Sequence, residues 1–532
     1  MVTGADPVWS RLDAAAQGYV YQVDLPTNGI SDLGTLNRRG YGKDSPVSAL
    51  ELFVNAEPQQ LARWPNADTF ATVGTVASTT QFSYTGTRPE RWTGAEEPWV
   101  HGYWYHLWAD EHIGIASIDT TGQTITLDGN HTYGLKADQP YYVYNLLEEI
   151  DSPGEWYLNR DTGVLYYWPD TALVGAELEV SMLETPLVQL SGTSHLRFAD
   201  LILECARGEL ARIDNGDDNQ FQRCTFRNNG TNAAVVSGTN NGLDACTISQ
   251  PGAGGARLSG GDRNSLTEAG NFVVNSDIHH FGRWCWTYAP AVRPSGCGHI
   301  VEHNHIWSAP HTAILFSGNE NSVKYNHIHD VCRFSADAGA IYTGRDWGGR
   351  GNEVSYNFIH HIDSIFVGWG VHGIYLDDLV SGVTVHGNVL YEISGYGVQH
   401  GGGRDNLITN NVLKNCGYGD RADTRGTGWA YSNINARAQD SWDLLHKLRQ
   451  LGYQSTTWTA AYPECAAIPN DYDQAYDIAN GWLTPGGSVL ARNVYCNLTN
   501  GLQYSTDNAF SYYATIADNA EICDPLFVDK PT

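Results

Sequence analysis

Carboxylates, imidazoles, an arginine and aromatic residues occur together between residues 337 and 400. Two phrases carry most of them, GAIYTGRD at 339–346 and HGIYLDD at 372–378. Asp377 and Asp378 end the second phrase, and Asp337 precedes the first. Neighbouring carboxyl groups repel one another as anions, which raises the pKa of at least one of them. One protonated and one ionised carboxyl are what cleavage of a glycosidic bond requires, an acid for the leaving oxygen and a base or nucleophile across the sugar ring.

The elements that must position these groups belong to a repeat. Between residues 303 and 413 the phrases HNHIW, YNHIHD, YNFIHHI, HGNVLYEI and TNNVLKNC each place an Asn two residues before an aliphatic residue. A second short apolar segment lies between successive phrases. Two short strands per irregular period of roughly 20 to 30 residues are typical of a parallel β-helix. A β-sandwich is the alternative, but it gives no reason for turn residues to stay in phase.

Alternation along a strand predicts which side chains face outward. In HGIYLDD, Ile374 and Leu376 can share the inside while Tyr375 and Asp377 face out. The recurring Asn would lie in a turn, where it tolerates a left-handed φ and its amide can bond the Asn of the next coil. Extending the repeat towards the N-terminus puts four residues at the position of the recurring Asn, namely Asp200, Cys224, Cys246 and Ser276. Together with the five Asn phrases, this predicts about nine coils.

Adjacent coils bring residues that are distant in sequence onto one face, because stacked strands lie about 4.8 Å apart. Placing Ile341 beside Ile374 sets Tyr342 beside Tyr375, and the next coil then sets Gln399 beside Tyr375. The predicted catalytic residues are Asp337, Asp378 and Asp377. The predicted substrate-binding residues are Tyr342, Arg345, Asp346, Trp369, His372, Tyr375, Gln399, His400, Glu320 and His361.

Each of these residues also has a purely structural interpretation. Asp377 and Asp378 can simply form a turn after a strand, and so can Asp337. Asp346 is as well placed to pair with Arg345 or Arg350 as to act in catalysis. His360-His361 lacks a third ligand at metal-binding spacing, so neither a metal nor a cofactor is predicted.

The totals exclude several partners. The chain has 532 residues and a net charge of −28, so nucleic acid and anionic membrane surfaces are poor partners. It contains no run of 18 apolar residues that would span a membrane. The ten cysteines form no CxxC pair. Cys224 and Cys246 are expected to be buried thiols or a disulfide.

Two domains are predicted. Residues 1–190 lack the coil period and indicate a β-rich, antiparallel or sandwich-like domain, with a hairpin around Gly163. Residues 191–532 form the β-helix, interrupted by a helical insertion at about 420–480. Within the insertion, a helix begins near residue 441, with Asp440 or Ser441 as its cap and Gly452 as its end.

Several phrases together resemble glycoside hydrolase family 141. They are LARWPN at 61–66, GEWYL at 154–158, GVLYYW at 163–168, and the stretches 337–347 and 372–378. The resemblance covers most of residues 6–415. It implies a right-handed parallel β-helix, α-L-fucosidase or xylanase activity, and a catalytic pair on Asp337 and Asp378. Proteins of this type usually carry further coils before residue 6, which suggests self-association or a partner that supplies the missing N-terminal coils.

The predicted catalytic pair of Asp337 and Asp378 requires a bend in the chain. In an extended strand Asp337 would lie about 16 Å before Tyr342, whereas Asp378 lies three residues beyond Tyr375. The two carboxylates can face each other only if the segment around Ala338 bends inward. Otherwise Asp346 with Asp377 or Asp378 is the better pair.

Three functions compete. The favoured one is a secreted or periplasmic glycoside hydrolase acting on a polysaccharide or oligosaccharide. The second is a polysaccharide lyase or epimerase on a uronate-containing glycan, with His400, Tyr375 or Arg345 near C5. The third is a non-catalytic carbohydrate-binding adhesin, which would carry aromatic residues along many coils.

Overall fold

The structure is a computed structural model that describes residues 1–501, residue 512 and residues 515–521. From residue 188 onward the chain coils into a parallel β-helix of three long sheets, each of eleven strands. The predicted all-β, parallel β-helix fold is confirmed. Among the described residues, no helix has the length and apolar character needed to cross a bilayer.

The three sheets take one strand each from successive coils. The strands of the first sheet are Val188–Ser191, Ala211–Asp217, Ala234–Thr239, Ala256–Gly260, Val292–Cys297, Ile314–Leu315, Ser317–Asn319, Ala338–Gly344, Val371–Asp377, Tyr396–His400 and Tyr418–Ala422. Those of the second are Arg197–Ala199, Gln220–Gln222, Gly242–Asp244, Phe272–Val274, Ile300–Glu302, Ser322–Lys324, Glu353–Ser355, Thr384–His386, Leu407–Thr409, Val489–Ala491 and Thr515–Ala517. Those of the third are Ile202–Glu204, Thr225–Asn229, Thr247–Pro251, Asp277–His279, His305–Trp307, His327–His329, Phe358–Ile362, Val389–Ile393, Val412–Lys414, Val494–Cys496 and Ala520–Glu521.

The prediction of two strands per coil is wrong, because the coils contribute strands to three sheets. The second sheet is the one that the sequence did not indicate. Its strands are three residues long, and five of the eleven bury only the central side chain, as Ile300–Glu302 buries Val301. One buried residue is too short a pattern to reveal a strand.

The repeated Asn residues form a ladder between the second and third sheets. The side-chain amide of Asn326 donates to Oδ1 of Asn357 at 3.0 Å, and Asn357 donates to Asn388 at 2.9 Å. Cys224 and Cys246 are buried free thiols. The left-handed φ falls on the residue before each Asn, such as Tyr356 with φ of 56°, and not on the Asn itself.

Mainly antiparallel sheets precede the β-helix, with one parallel pair between Gln60–Leu61 and Glu155–Asn159. Their strands are Tyr21–Asp24, Arg39–Gly40, Leu52–Val54, Glu57–Pro58, Gln60–Leu61, Arg63–Trp64, Ala71–Thr72, Gln81–Ser83, Trp99–Tyr103, Asp110–Asp119, Thr124–Leu127, Pro140–Tyr144, Glu155–Asn159, Val164–Tyr167 and Leu178–Val180. This N-terminal region packs on the β-helix through buried polar contacts. Asp110 accepts hydrogen bonds from the backbone N–H groups of Trp286 and Thr287 at 3.2 and 3.1 Å.

The helical insertion follows the strand Tyr418–Ala422, and the coil resumes at Val489–Ala491. Its α-helices are α1 (Tyr431–Asn435), α2 (Leu444–Gln450), α3 (Thr456–Ala461), α4 (Pro463–Ala466) and α5 (Tyr472–Ala475). The cap of α2 is Asp443, which accepts a hydrogen bond from the N–H of His446, so the predicted cap at Asp440 or Ser441 is wrong. The insertion buries its apolar residues against Trp347 and Leu379 of the β-helix.

Candidate active site

Two paired strands of the first sheet, Ala338–Gly344 and Val371–Asp377, form the floor of the candidate site. Tyr342 lies opposite Tyr375, and in the following coil Gln399 lies opposite Tyr375. This register is the one that the aligned phrases predict. The isoleucine before each tyrosine is fully buried, so alternation turns both tyrosines outward.

The strand Val371–Asp377 bends near its start. Val371 and Ile374 both lie in the core although they are three residues apart, whereas an extended strand alternates every two residues. Past this bend, the hydroxyl of Tyr375 donates a hydrogen bond to Oδ1 of Asp337 at 3.2 Å. Asp337 thus lies on the same face as the outward tyrosines.

Asp346 is the residue that could replace Asp337 in the predicted pair. It is paired with Arg263 and not with Arg345 or Arg350. Arg263 Nη2 donates to its Oδ2 at 2.7 Å, and the N–H of Gly348 donates to its Oδ1 at 2.8 Å. Asp346 and Arg263 border a cavity of about 310 Å³ beside α2. Asp346 therefore belongs to the contact between the β-helix and the insertion.

Two arginines hold the adjacent aspartates. Arg345 donates to Oδ2 of Asp378 from Nε at 3.0 Å and from Nη2 at 2.5 Å. Arg425 Nη1 donates to Oδ1 of Asp378 at 2.9 Å and also to Oδ1 of Asp377. The other oxygen of Asp377 accepts a hydrogen bond from the hydroxyl of Tyr342 at 2.8 Å. Charge-assisted hydrogen bonds thus fix the orientation of both carboxylates.

Asp337 has a different electrostatic environment, since among the described residues no guanidinium donates a hydrogen bond to it. Burial, followed by the negative charge of Asp377, raises the pKa of Asp337 to about 6, while Arg425 and the hydrogen bond from Tyr375 lower it. Burial and the charge of Asp377 also raise the pKa of Asp378, against the lowering effect of its two arginines. The site therefore combines a carboxyl that keeps its proton up to about pH 6 with aspartates paired to arginines.

A row of aromatic side chains extends from the site onto the N-terminal region. Tyr288 presents its ring edge-on to Tyr342 at 6.0 Å between centroids, and Tyr41 lies 5.2 Å from Tyr288. Trp108 follows at 5.1 Å from Tyr41 and 5.3 Å from Tyr133, which is 39% exposed. Such rings offer apolar faces beside polar hydroxyls, the combination that suits a sugar ring.

Two predicted binding residues lie away from this face. His361 belongs to the strand Phe358–Ile362 of the third sheet, so it faces a different side of the β-helix. His400 follows the outward Gln399 and therefore points inward, where its Nε2 lies 2.7 Å from the side-chain nitrogen of Asn406. The alignment of His400 with Leu376 is confirmed, but at that position the side chain enters the interior.

His372 and Gln399 are buried next to Tyr375. His372 is buried, its Nδ1 accepts a hydrogen bond from the N–H of Tyr396 at 3.2 Å, and burial lowers its pKa to about 3. It is therefore a neutral ring packed edge-on against Tyr375, with 5.0 Å between centroids. Gln399 is buried, and within the described part of the chain its Oε1 has no hydrogen-bond partner.

Glu320 and Trp369 lie at the margins. Glu320 accepts a hydrogen bond from the hydroxyl of Tyr462, so it contacts the insertion. Trp369 is 74% exposed and precedes Gly370, whose carbonyl accepts the N–H of Asp337 at 2.7 Å. Trp369 is thus close to Asp337 along the edge of the site.

Several site residues were not predicted, and the insertion supplies two of them. Arg425 comes three residues after the strand Tyr418–Ala422, which stacks on Tyr396–His400. Trp442 places its ring 4.0 Å from the guanidinium of Arg345. The available signal was Asp423-Thr424-Arg425, a charged stretch that directly follows a strand of the same sheet.

Groups of side chains able to bind a metal occur elsewhere in the part of the chain that the structure describes. Their ligand atoms converge to within 4.8 Å in three places. These groups are His305 with His327 and His329, His101 with Asp110 and His112, and Glu179 with Glu204 and Cys205.

Comparison with known proteins identifies the architecture. A family model described as right handed beta helix region matches residues 211–435. A solved structure described as a glycoside hydrolase superposes with a TM-score of 0.58 at 16% identity, over 74% of this chain and 80% of that one. The catalytic domain of a GH87 alpha-1,3-glucanase in complex with nigerose covers 90% of this chain and 92% of its own, at 9% identity and a TM-score of 0.38. No curated protein matches the sequence. The chain thus has the right-handed parallel β-helix fold.

Proposed function

We propose that the protein is a glycoside hydrolase in which Asp337 is the general acid and the Asp377-Asp378 pair supplies the opposing carboxylate. The environment of Asp337 carries the proposal. It is a mostly buried carboxyl with a pKa raised to about 6, next to carboxylates held by arginines. Two carboxyl groups kept in different protonation states are the requirement for glycosidic cleavage. The resemblance to glycoside hydrolase family 141 implies a pair on Asp337 and Asp378, so it supports Asp337 and leaves the choice between Asp377 and Asp378 to the geometry.

Asp377 is the favoured member of the pair. The negative charge of Asp377 raises the pKa of Asp337 more than the negative charge of Asp378 does. Its side chain is 13% exposed, against 5% for Asp378, so a substrate reaches it more readily. Asp378 then acts mainly by holding Arg345 and Arg425 in place.

In this mechanism Asp337 gives its proton to the glycosidic oxygen as the bond to the anomeric carbon breaks. Asp377 faces the positive charge that develops on the sugar and acts either as the nucleophile or as the base for a water. Tyr342 and Arg425 already fix the orientation of Asp377, so little reorganisation is needed during the reaction. Aromatic rings beside the carboxylates provide the surface for neighbouring sugar rings.

The three residues predicted for the lyase or epimerase alternative are poorly placed to act as its base. His400 points into the interior, and the hydroxyl of Tyr375 donates to Asp337. Burial raises the pKa of Tyr375 well above its ordinary value, which makes its deprotonation harder. Arg345 is already paired with Asp378. The site thus favours hydrolysis over removal of a proton from a uronate.

A glycan screen tests the proposal. The purified protein is incubated with fucosylated, xylan and uronate-bearing oligosaccharides, while new reducing ends and the absorbance of unsaturated uronides are followed. Reducing ends without that absorbance are expected, and their release should be lost in Asp337→Asn but kept in the exposed control Asp363→Asn. An unsaturated product, or equal turnover in Asp337→Asn, would contradict the proposal.

A further inference from the structure

The outer face of the third sheet carries a column of imidazoles outside the candidate active site. The strand His305–Trp307 pairs with His327–His329, which in turn pairs with Phe358–Ile362. The register places His305 opposite His327, and His329 opposite His360. Four imidazoles from three successive coils therefore lie side by side.

The rings of His305 and His329 face each other through their Nε2 atoms. Their Nε2 atoms are 2.8 Å apart. At the other side of each ring, His305 Nδ1 lies 3.1 Å from Asp277 Oδ1, and His329 Nδ1 lies 2.6 Å from Asp330 Oδ2. A carboxylate only accepts, so each Nδ1 carries the hydrogen and each Nε2 of a neutral ring carries a lone pair. Two facing lone pairs at this distance require a cation between them.

The neighbouring histidines have no such conflict. His361 Nε2 lies 2.8 Å from Glu392, and His360 Nδ1 lies 2.6 Å from His361 Nδ1. His327 Nε2 lies 2.7 Å from His360 Nε2. One hydrogen per contact satisfies this whole chain with neutral rings. The same assignment leaves a lone pair on Nδ1 of His327.

We propose that His305, His329 and His327 bind one first-row transition-metal ion, such as Zn²⁺, Ni²⁺ or Cu²⁺. Imidazole is a preferred ligand of these ions. The ligand atoms of the three residues all lie within 4.8 Å of one another. Zn–N bonds of about 2.0–2.1 Å place two ligands of a tetrahedral ion about 3.3 Å apart, so small ring rotations suffice.

Two further features favour this assignment. Asp277 and Asp330 hold the rings of His305 and His329 by Nδ1, the arrangement in which a carboxylate orients a metal-binding histidine. The side chain of His305 is 41% exposed, which gives an ion a path from solvent. The sequence indicated no metal because His360-His361 has no third ligand nearby along the chain. Stacking of the coils supplies the other imidazoles.

Metal titration of the chelator-treated protein tests the site. Calorimetry with Zn²⁺ should give one ion per chain, and His305→Gln and His329→Gln should each weaken binding at least about tenfold. His303→Gln, which removes an exposed imidazole of a neighbouring turn, should bind as the wild type does. Zn²⁺ should also raise the thermal midpoint of the wild type and of His303→Gln, but not that of the two ligand variants.

Spectroscopy gives a measurement that does not depend on the variants. With one equivalent of Cu²⁺, the wild-type protein should show electron paramagnetic resonance splitting from at least two imidazole nitrogens. Zn²⁺ affinity unchanged in both ligand variants, or a copper signal without nitrogen splitting, would overturn the proposal. The pair His305–His329 would then share a proton only.

Discussion

Asp337 differs from its two neighbouring aspartates in what surrounds it. Arginines donate to both Asp377 and Asp378, whereas Asp337 receives its hydrogen bond from the neutral hydroxyl of Tyr375. Burial and the nearby negative charges then favour its protonated form. This difference between single residues is the basis on which we propose Asp337 as the acid and its neighbours as the source of the opposing carboxylate.

The pH dependence of turnover follows from Asp337. A general acid must be protonated, and the pKa of Asp337 is about 6. We therefore expect kcat/KM to fall about tenfold per pH unit as the pH rises above about 6. Initial rates from pH 4 to 9, with the glycan that the protein cleaves as substrate, measure this fall in kcat/KM. A flat profile up to pH 9 would exclude a carboxyl with this pKa as the acid.

The residues of the strands could be predicted from the sequence, and those of the insertion could not. Alternation and the offset between the phrases determine that Tyr342 and Tyr375 face outward together. His400 was misplaced because a shift of one residue along a strand reverses the direction of the side chain. Arg425 and Trp442 lie where the period breaks, so no repeat indicated their position.

The Asn ladder is a polar element of the interior that runs along the β-helix. Its amides join coil to coil from residue 304 to residue 519, across the interruption by the insertion. Each buried amide also satisfies backbone groups, as Asn357 donates to the carbonyl of Val323 at 2.9 Å. The turns thus stay in phase although the coils differ in length.

Removing one member of the ladder should be costly. In Asn357→Ala the side-chain hydrogen bonds that join residue 357 to Asn326, Asn388 and the carbonyl of Val323 are lost. We expect the free energy of unfolding to fall by roughly 2–3 kcal/mol, because several buried polar groups become unsatisfied. Denaturant unfolding measures this loss. The exposed Asn264→Ala is the control, and equal stability of the two variants would contradict the ladder's role.

Asp420 is a buried carboxyl on the last strand before the insertion. Burial raises its pKa to about 7, although Tyr495 donates a hydrogen bond to it. Since the pKa is raised in the folded state, the protein loses stability as pH rises from about 4 through 7, and the loss is complete above that range.

Asp420→Asn removes this ionisation. Its stability relative to the wild type should increase by roughly 1.4 kcal/mol per pH unit between about pH 4 and 7. Thermal unfolding of both proteins at pH 5 and pH 8 measures the change, with the exposed Asp363→Asn as control. A difference between variant and wild type that is the same at both pH values would contradict the raised pKa of Asp420.

The predicted phase of the coils was correct in most places. Ser276 accepts the N–H of Cys246 at 3.0 Å and donates its own N–H to Asn304 at 3.0 Å, as members of one column should. The prediction for Asp200 is wrong by one residue, because Ile202 pairs with Thr225 and thereby places Leu201 in the column. Near the first coil no Asn marks the turn, so the position there depended on counting alone.

On the scale of the whole molecule, three parts of the chain meet at the candidate site. The β-helix provides the aspartates, the N-terminal region extends the row of aromatic rings, and the insertion contributes Arg425 and Trp442. The insertion also packs its own apolar core on the β-helix beside the site. The site therefore depends on the docking of all three parts.

Arg425 is the clearest test of the insertion's contribution. It joins Asp377, Asp378 and Asp423 through one buried guanidinium. In Arg425→Gln these carboxylates lose their shared partner, so we expect kcat/KM to fall at least about tenfold and the thermal midpoint to decrease.

Arg437→Gln provides the matched control for this substitution. Arg437 belongs to the same insertion and pairs with the exposed Asp473, so its loss should leave turnover unchanged. Wild-type turnover in Arg425→Gln would show that the insertion does not contribute to the site.

Leaving-group dependence tests the role of Asp337 most directly. Turnover of Asp337→Asn is compared with that of the wild type on the natural glycan and on its dinitrophenyl glycoside, whose leaving group needs no proton. If Asp337 is the general acid, the variant should lose about 10²- to 10⁴-fold on the glycan and far less on the dinitrophenyl substrate. Equal losses on both substrates in a folded variant, or no loss on either, would contradict the assignment.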